Sequence, residues 1–461
     1  MDVGRKVLRR LAGPLLALVL PFTASAQGFI RDAEIESILR EYSDPIFEAA
    51  GLKPSDVDLY LIQDDTLNAF VTAGQKVFLH TGLIMQSETP EQLKGVIAHE
   101  TGHIAGGHNV TRQGAMEAAS GTSLITLGLG VLALAAGAPD AAMALFGSAS
   151  TFGMLTAFKF TRIEESAADQ YGVDFMEKTH QSSMGLVSFM EKFRYEELMS
   201  ETRRDPYFRS HPISSDRIAA LRKRAVEASV NALPQSDRSL DQLAMMKAKL
   251  VGFIGPPNRV MSKYPPSDQS IYAKYARAIA SYRAVDIKAA LKDTDELIAM
   301  RPDDPYFYEL KGQILFESGK TVESIEPHRR SVELAPKQPL LKVNLARSLA
   351  TSKGSAGEGP TRKEDLAEAE NLLIDALALE RDNAFAWNQL ADVYAKQNRI
   401  GDADLATAEE AYQLGDMARA HNFASRAMRN LPPGTTNAQR ADDIVALSDP
   451  RALRGQRGRP G

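Results

Sequence analysis

The segment GVIAHETGHIAGGH, residues 95–108, decides how the rest of the chain is read. It contains His99-Glu100-Thr101-Gly102-His103, an H-E-x-x-H pattern, in a run whose spacing predicts a helix near residues 90–108. Thr89 supplies a capping side chain, Pro90 suits the first turn, and Gln92 stands three residues past the cap. Residues four apart share a helix face, so the imidazoles of His99 and His103 project together and can share one metal ion. Glu100 lies beside them, placed to take a proton from water activated there.

A hydrolytic zinc site of this kind takes three protein ligands and keeps a fourth position open. A third histidine six residues past His103 is excluded: that position is Asn109, and His108 is one residue short. Arg162-Ile163-Glu164-Glu165-Ser166-Ala167-Ala168-Asp169 offers a better candidate. Glu165 and Asp169 share one helix face, whereas Glu164 points about 100° away. Glu165 then ligates, and Asp169 orients a ligating imidazole from outside.

Outward from this core, residues 29–50 space their apolar side chains at three and four and predict an amphipathic helix. Val57 to Ile62 and Val77 to Leu79 are short strand-like runs, with Asp64-Asp65 as a turn between them. Residues 118–158 carry Asp140 as their only charge and divide at Gly137-Ala138-Pro139-Asp140. That stretch reads as a buried helical hairpin, a membrane-inserted hairpin, or an apolar cover over a groove that leans on a membrane surface.

Beyond about residue 270 the pattern repeats. Pro302 and Pro305 recur as Pro336 and Pro339, and Gly312 aligns with Ala346, all at about 34 residues, the tetratricopeptide period. Trp387, Leu390, Ala391 and Tyr394 follow the W-x-x-L-G-x-x-Y signature with Ala for Gly. The third repeat carries an insertion of about 11 residues that includes Lys353 to Pro360. Asp416 to Asn430 forms the last half-repeat of about four, and the Arg- and Gly-rich segment 451–461 reads as disordered.

Composition narrows the classes. With 461 residues the chain suits two to four domains, and 44% hydrophobic with 25% charged residues is ordinary globular usage. A formal charge of −5 argues against nucleic acid as a partner. The absence of cysteine removes disulfides, thiol nucleophiles and Cys-ligated zinc. Arg5, Lys6, Arg9 and Arg10 precede the apolar run Leu11 to Leu20, and Ala24-Ser25-Ala26 follows, as in a cleaved signal peptide. Loss of residues 1–26 takes the charge to −8, and the setting expected is the periplasm of a Gram-negative bacterium.

Over residues 30–225 the chain resembles the CAAX-prenyl-protease-like gluzincin metallopeptidases: N-A-F at Asn68, H-E-x-x-H-x-x-x-x-H at 99–108 and E-x-x-A-D at 165–169. Such a segment behind a signal peptide and before tetratricopeptide repeats is similar to the β-barrel assembly-enhancing protease group. The resemblance implies an envelope endopeptidase acting on outer-membrane or misfolded proteins, though the chain lacks the cysteines of part of that group. Ser210-His211-Pro212 with Asp216 and Arg217 resembles the H-P…R segment that follows the glutamate motif in this family. On that resemblance Arg217 stabilises an oxyanion or holds a zinc ligand. His211 steadies the transition state, caps the open zinc position, or is a loop histidine. His80, His180, His328 and His421 read as packing or surface residues.

The expected architecture is an α+β zincin-like metallopeptidase domain, mostly helical, followed by an all-α tetratricopeptide solenoid. The boundaries are a signal peptide at 1–26, the peptidase domain at 27–230, a linker at 231–269, repeats at 270–435 and a tail at 436–461. One Zn2+ per chain is held by His99, His103 and Glu165; Glu100 is the general base, and Asp169 supports a ligand from behind. Extended substrate pairs with an edge strand near Asn68 to Phe70. The expected partners are unfolded or misfolded envelope proteins as substrates and outer-membrane assembly machinery on the repeats, with peripheral membrane contact through 118–158. The competing reading is a chaperone or assembly factor built on the repeats with a latent site.

Overall fold

The computed structural model describes residues 28–72, 74–108, 162–195, 206–228, 232–352 and 361–449. The expected signal peptide, the apolar stretch 118–158, the loop 353–360 and the tail 451–461 lie outside the described residues. Among the described residues no helix is long and apolar enough to cross a membrane.

The segment expected as one helix over 29–50 begins instead as a strand. Phe29–Ile30 (β1) pairs with β2 (Asp58–Ile62), and α1 runs over Ala33–Ala49. The boundary is set by Asp32, whose carboxylate accepts from the Ile35 amide at 2.9 Å and caps the helix. A third strand, β3 (Ala69–Thr72), lies between the two expected runs, and β4 spans Lys76–His80. The sheet order is β1-β2-β4-β3, with β2 and β4 parallel and both outer pairs antiparallel, so β3 is an edge. Leu61, Ala69, Val71, Val77 and Leu79 face the core. On the opposite face Tyr60, Phe78 and Phe70 stack across strands at 5.0 and 4.8 Å.

Helices α2 (Thr81–Gln86) and α3 (Pro90–Ala105) follow. Thr89 caps α3 as expected, accepting from the Gln92 amide at 3.4 Å. Next come α4 (Arg162–Lys178), α5 (Met184–Glu191), α6 (Pro206–Ser210) and α7 (Ser215–Ala228), which close one core with α1 and the sheet.

The stretch 231–269, expected as a linker, is largely helical: α8 (Asp237–Ile254) and α9 (Pro257–Lys263). Leu243, Met246 and Leu250 of α8 bury themselves in the peptidase core, whereas Met245 and Ala248 join the first core of the repeats. Two apolar faces on one helix thus fuse the two halves.

The repeats pair α10 (Ile271–Arg283) with α11 (Ile287–Met300), α12 (Pro305–Glu317) with α13 (Ile325–Leu334), and α14 (Pro339–Thr351) with α15 (Lys363–Leu379). They continue with α16 (Ala384–Lys396), α17 (Ile400–Gln413) and α18 (Met417–Asn430). The repeating prolines Pro305 and Pro339 each open a helix, where a missing amide hydrogen costs nothing. Gly312 is needed where α12 meets α13: a Cβ there would lie 2.2 Å from Cδ2 of His328. Pairing continues past residue 435, since α19 (Thr436–Leu447) buries Ala441 and Ile444 against the preceding helices.

Candidate active site

Four elements converge on one buried cluster. α3 carries His99, Glu100 and His103; α4 carries Glu165 and Asp169; His211 follows α6, and Arg217 lies in the first turn of α7. The motif's own Gly102 makes the meeting possible. A Cβ there would lie 2.7 Å from the Ala168 carbonyl oxygen, and one on Gly172 would lie 3.2 Å from the His99 amide nitrogen. Because α3 and α4 touch backbone to backbone, short carboxylates on one reach imidazoles on the other.

Nε2 of His99 and Nε2 of His103 are 3.2 Å apart. Glu165 reaches both, at 3.5 and 3.4 Å. His211 enters the same group: its Nδ1 lies 3.3 Å from Nε2 of His99 and 3.0 Å from Oε1 of Glu165. The ligand atoms of these four residues all lie within 4.8 Å of one another, and all four side chains are buried. Nitrogen and oxygen lone pairs turned toward one another away from water, three imidazoles and a carboxylate, fit a metal ion.

Around this cluster the other ring atoms are held. Nδ1 of His99 lies 3.0 Å from Oδ1 of Asp169. Nδ1 of His103 lies 3.0 Å from Nδ1 of His108. Arg217 donates to both oxygens of Asp169 at 2.5 and 2.8 Å, and its Nη1 lies 2.7 Å from Glu165. The guanidinium fork therefore grips the two carboxylates together, an ion pair with the bidentate geometry that arginine provides. Tyr207 stacks its ring on His211 with centroids 4.6 Å apart.

The electrostatics follow from burial and these partners. Burial opposes charge on Glu165, yet His211 and Arg217 hold its carboxyl well below the ordinary range. Asp169 is lowered against burial in the same way by Arg217. Burial disfavours the His99 cation, but Asp169 and Glu165 push it up to about 9. Burial, with His99 and His211 alongside, takes His103 down to about 3 despite Glu165. Glu100 stands apart: burial raises its carboxyl, both its oxygens lack a hydrogen bond among the described residues, and Nε2 of His211 lies 3.4 Å away. A buried carboxyl left in that condition beside a metal-fitting cluster is suited to accept and return a proton.

All seven residues singled out in the sequence, His99, Glu100, His103, Glu165, Asp169, His211 and Arg217, thus come together. The site holds two more contributors: His108, present in the sequence reading only as the last position of the motif at 99–108, and Tyr207, which that reading does not include. His108 lies five positions past His103, off the helical face; it reaches His103 because the chain leaves α3 and turns at Gly107, where φ is 66°. The signal was Gly106-Gly107. Tyr207 precedes His211 by four residues, the helical spacing that brings their rings together. Of the four remaining histidines, His80 bonds Thr66 at 2.9 Å, His328 bonds Ser348 at 2.8 Å, His421 lies 3.3 Å from the Val445 carbonyl, and His180 follows the end of α4 with φ 56°.

Residues 30–225 match peptidase family M48, and residues 275–339 match the tetratricopeptide repeat. The chain is 26% identical over 393 residues to the beta-barrel assembly-enhancing protease of Escherichia coli, covering 83% of this chain and 76% of that one. It is 30% identical over 172 residues to metalloprotease LoiP of Escherichia coli, covering 37% of this chain and 63% of that one. A solved tetratricopeptide protein, YrrB, aligns at 14% identity with a TM-score of 0.32, over 39% of this chain and 89% of its own.

Proposed function

We propose that this metallopeptidase, an M48 peptidase domain followed by tetratricopeptide repeats, is a zinc endopeptidase that removes misfolded or stalled proteins of the bacterial cell envelope. The observation that carries the reading is Glu100, a buried carboxyl without a hydrogen bond among the described residues, beside three imidazoles and Glu165. His99, His103 and Glu165 hold the zinc, the donor set that suits this ion. Zinc supplies Lewis-acid polarisation of the scissile carbonyl and lowers the pKa of water. Glu100 takes the proton of the attacking water and passes it to the leaving amine nitrogen. Asp169 fixes the His99 ring, and Arg217 fixes Asp169 and Glu165. With its fork engaged by two carboxylates, Arg217 serves as a positioning residue rather than an oxyanion donor. The edge strand β3 takes extended substrate by main-chain pairing.

His211 in this reading is a fourth donor that caps the position substrate needs, so the enzyme rests in a latent state. Its Nδ1 lies as close to His99 and Glu165 as the accepted donors lie to one another. The periplasmic setting and the repeats as recruiters of substrate or assembly partners belong to the same reading. The names of the relatives and the N-terminal Arg5–Ala26 pattern support it.

The test is cleavage of casein by the mature chain with and without chelator, beside Glu100→Gln and His211→Ala. Chelator-sensitive cleavage that Glu100→Gln lacks and His211→Ala enhances is expected. Loss of activity in His211→Ala would make His211 catalytic instead, and a purified chain that binds no metal would sink the reading.

A further inference from the structure

A neutral imidazole that offers one ring nitrogen to a cation carries its proton on the other, and a buried N–H of that kind needs an acceptor. Nε2 of His99 and Nε2 of His103 face each other at 3.2 Å inside the cluster, so in both rings Nδ1 is the nitrogen turned away from it. For His99 the acceptor is Asp169, at 3.0 Å. For His103 it is another imidazole: Nδ1 of His108 lies 3.0 Å away, and the two rings meet edge to face with centroids 5.1 Å apart.

The chain is shaped to bring His108 there. α3 ends at Ala105, and a continued helix would carry position 108 about 140° around the axis from His103. Instead Gly107 takes a φ of 66°, which side chains with a Cβ rarely adopt, and the chain turns back. Gly106 keeps the path of the ring clear, since a Cβ there would lie 2.5 Å from Nε2 and 2.8 Å from Cε1 of His108. Two adjacent glycines thus serve one contact, the first by leaving room for the ring and the second by reversing the backbone. The ring that results is 8% exposed, so water competes little for the bond.

With the His103 proton assigned to Nδ1, His108 accepts through its own Nδ1 and carries its proton on Nε2. The opposite assignment, with His108 donating, puts the His103 proton on Nε2 and closes that nitrogen to a cation. An imidazole acceptor therefore selects the ring state that can ligate, and it adds no further negative charge beside Glu165 and Asp169.

We infer that His108 is a positioning residue of the metal centre: its Nδ1 accepts the Nδ1 proton of His103, which fixes that ring and leaves Nε2 bare for the ion. That the ion is zinc rests on the proposed function; the role of His108 does not depend on peptide cleavage. Partners of this kind, one shell outside the ligands, are typically worth about 10–100-fold in metal affinity.

The experiment measures the zinc dissociation constant of the mature full chain by competition with a chromophoric chelator, beside thermal unfolding of the metal-free chain. His108→Phe keeps a ring of similar size without an acceptor and is expected to weaken zinc binding by about 10–100-fold. His108→Asn carries its amide oxygen two bonds from Cβ, as Nδ1 is in histidine, and should restore most of that loss. If the ring merely packed, Phe would serve better than Asn in both measurements. A Phe variant that binds zinc like the parent, or an Asn variant that binds it no better than Phe, would overturn the inference. If the Phe variant does not fold, His108→Leu takes its place and is read against Asn in the same way. Zinc affinities in the expected order in a chain that cuts no casein would refute the proposed function alone, and a parent chain that binds no zinc would overturn both.

Discussion

At the His99–Glu165 centre four donor side chains face one another across a buried gap, whereas at Lys249 three carboxylates close on an ammonium that the chain itself supplies. Nζ of Lys249, on α8, lies 2.8 Å from Asp32 and 3.2 Å from Glu34 of the peptidase half, and 3.8 Å from Glu309 of the repeats. Tyr275 adds a hydrogen bond to Glu34 at 2.7 Å. Both assemblies are largely buried and both gather charged groups from elements far apart in sequence. The first leaves Glu100 without a hydrogen bond among the described residues and fits a cation from outside; the second contains its cation and ties the two halves together. A buried charge cluster is therefore informative through what it lacks rather than through its size.

Substitutions should separate a cluster made for chemistry from one made for cohesion. The largest effect expected is on rate. Glu100→Gln removes the proton acceptor but no donor atom of the cluster, so kcat on casein should fall by about 10^2–10^4-fold. Metal content, read by mass spectrometry, should stay unchanged. The melting temperature should hold or rise, because a buried carboxyl that accepts no hydrogen bond among the described residues is replaced by an uncharged amide. A parallel loss of metal would show that the two functions of the motif are not separable.

At Lys249 the same logic predicts the reverse, stability lost and chemistry spared. Lys249→Met leaves Asp32, Glu34 and Glu309 buried without their cation, which should cost about 3–5 kcal/mol in denaturant unfolding. Adding Glu34→Gln and Glu309→Gln should recover much of it, since the uncompensated charge goes too. If the single variant unfolds like the parent, the cluster is not what joins the halves.

The pH dependence has a definite sign. Burial, with neighbouring carboxylates only partly offset by Lys249, raises both Glu34 and Glu309 to about 7. Unfolded glutamate titrates near 4.3. The folded chain thus holds protons that the unfolded chain releases. This contribution to stability is complete below about pH 4.3 and declines as pH rises through about 7. Thermal unfolding should show a loss on the order of 2 kcal/mol between pH 5 and 8 that is absent in the Glu34→Gln, Glu309→Gln double variant. Glu165 and Asp169 titrate with the opposite sign, because their carboxyls are lowered, and add stability only above the ordinary carboxylate range.

The two clusters also differ in how far the sequence discloses them. His99 and His103, like Glu165 and Asp169, are four apart on helices, so their shared faces follow from helical geometry alone. Gly102 gave no clue to its purpose until α4 was seen against it. His108 defeated the same spacing rule because a glycine turn, not a helix, returns it to His103. Nothing local announces the Lys249 cluster: Asp32, Lys249 and Glu309 belong to three separate elements, and only tertiary contact unites them. Their helix α8 was readable in principle from two apolar stripes, Leu243-Met246-Leu250 and Met245-Ala248, yet its position between two domains suggested a linker. Local periodicity disclosed the chemistry, while the junction depended on contacts more than 200 residues apart.

A second tie between the halves gives the weakest prediction and the sharpest control on Lys249. Arg31 reaches Glu380 of the repeats at 2.6 Å, but the two side chains are 41% and 25% exposed. In that setting solvent screens the pair, and holding two long side chains in place offsets much of the attraction. Arg31 also pairs with Glu36, so removing Glu380 leaves the cation matched. Glu380→Gln should therefore change unfolding free energy by less than about 1 kcal/mol, with the difference vanishing in about 0.5 M salt. Lys249→Met should keep most of its effect at the same salt, because that side chain is only 5% exposed. Equal salt sensitivity of the two variants would mean that the Lys249 site admits water and counterions, and that its cohesion is of the ordinary surface kind.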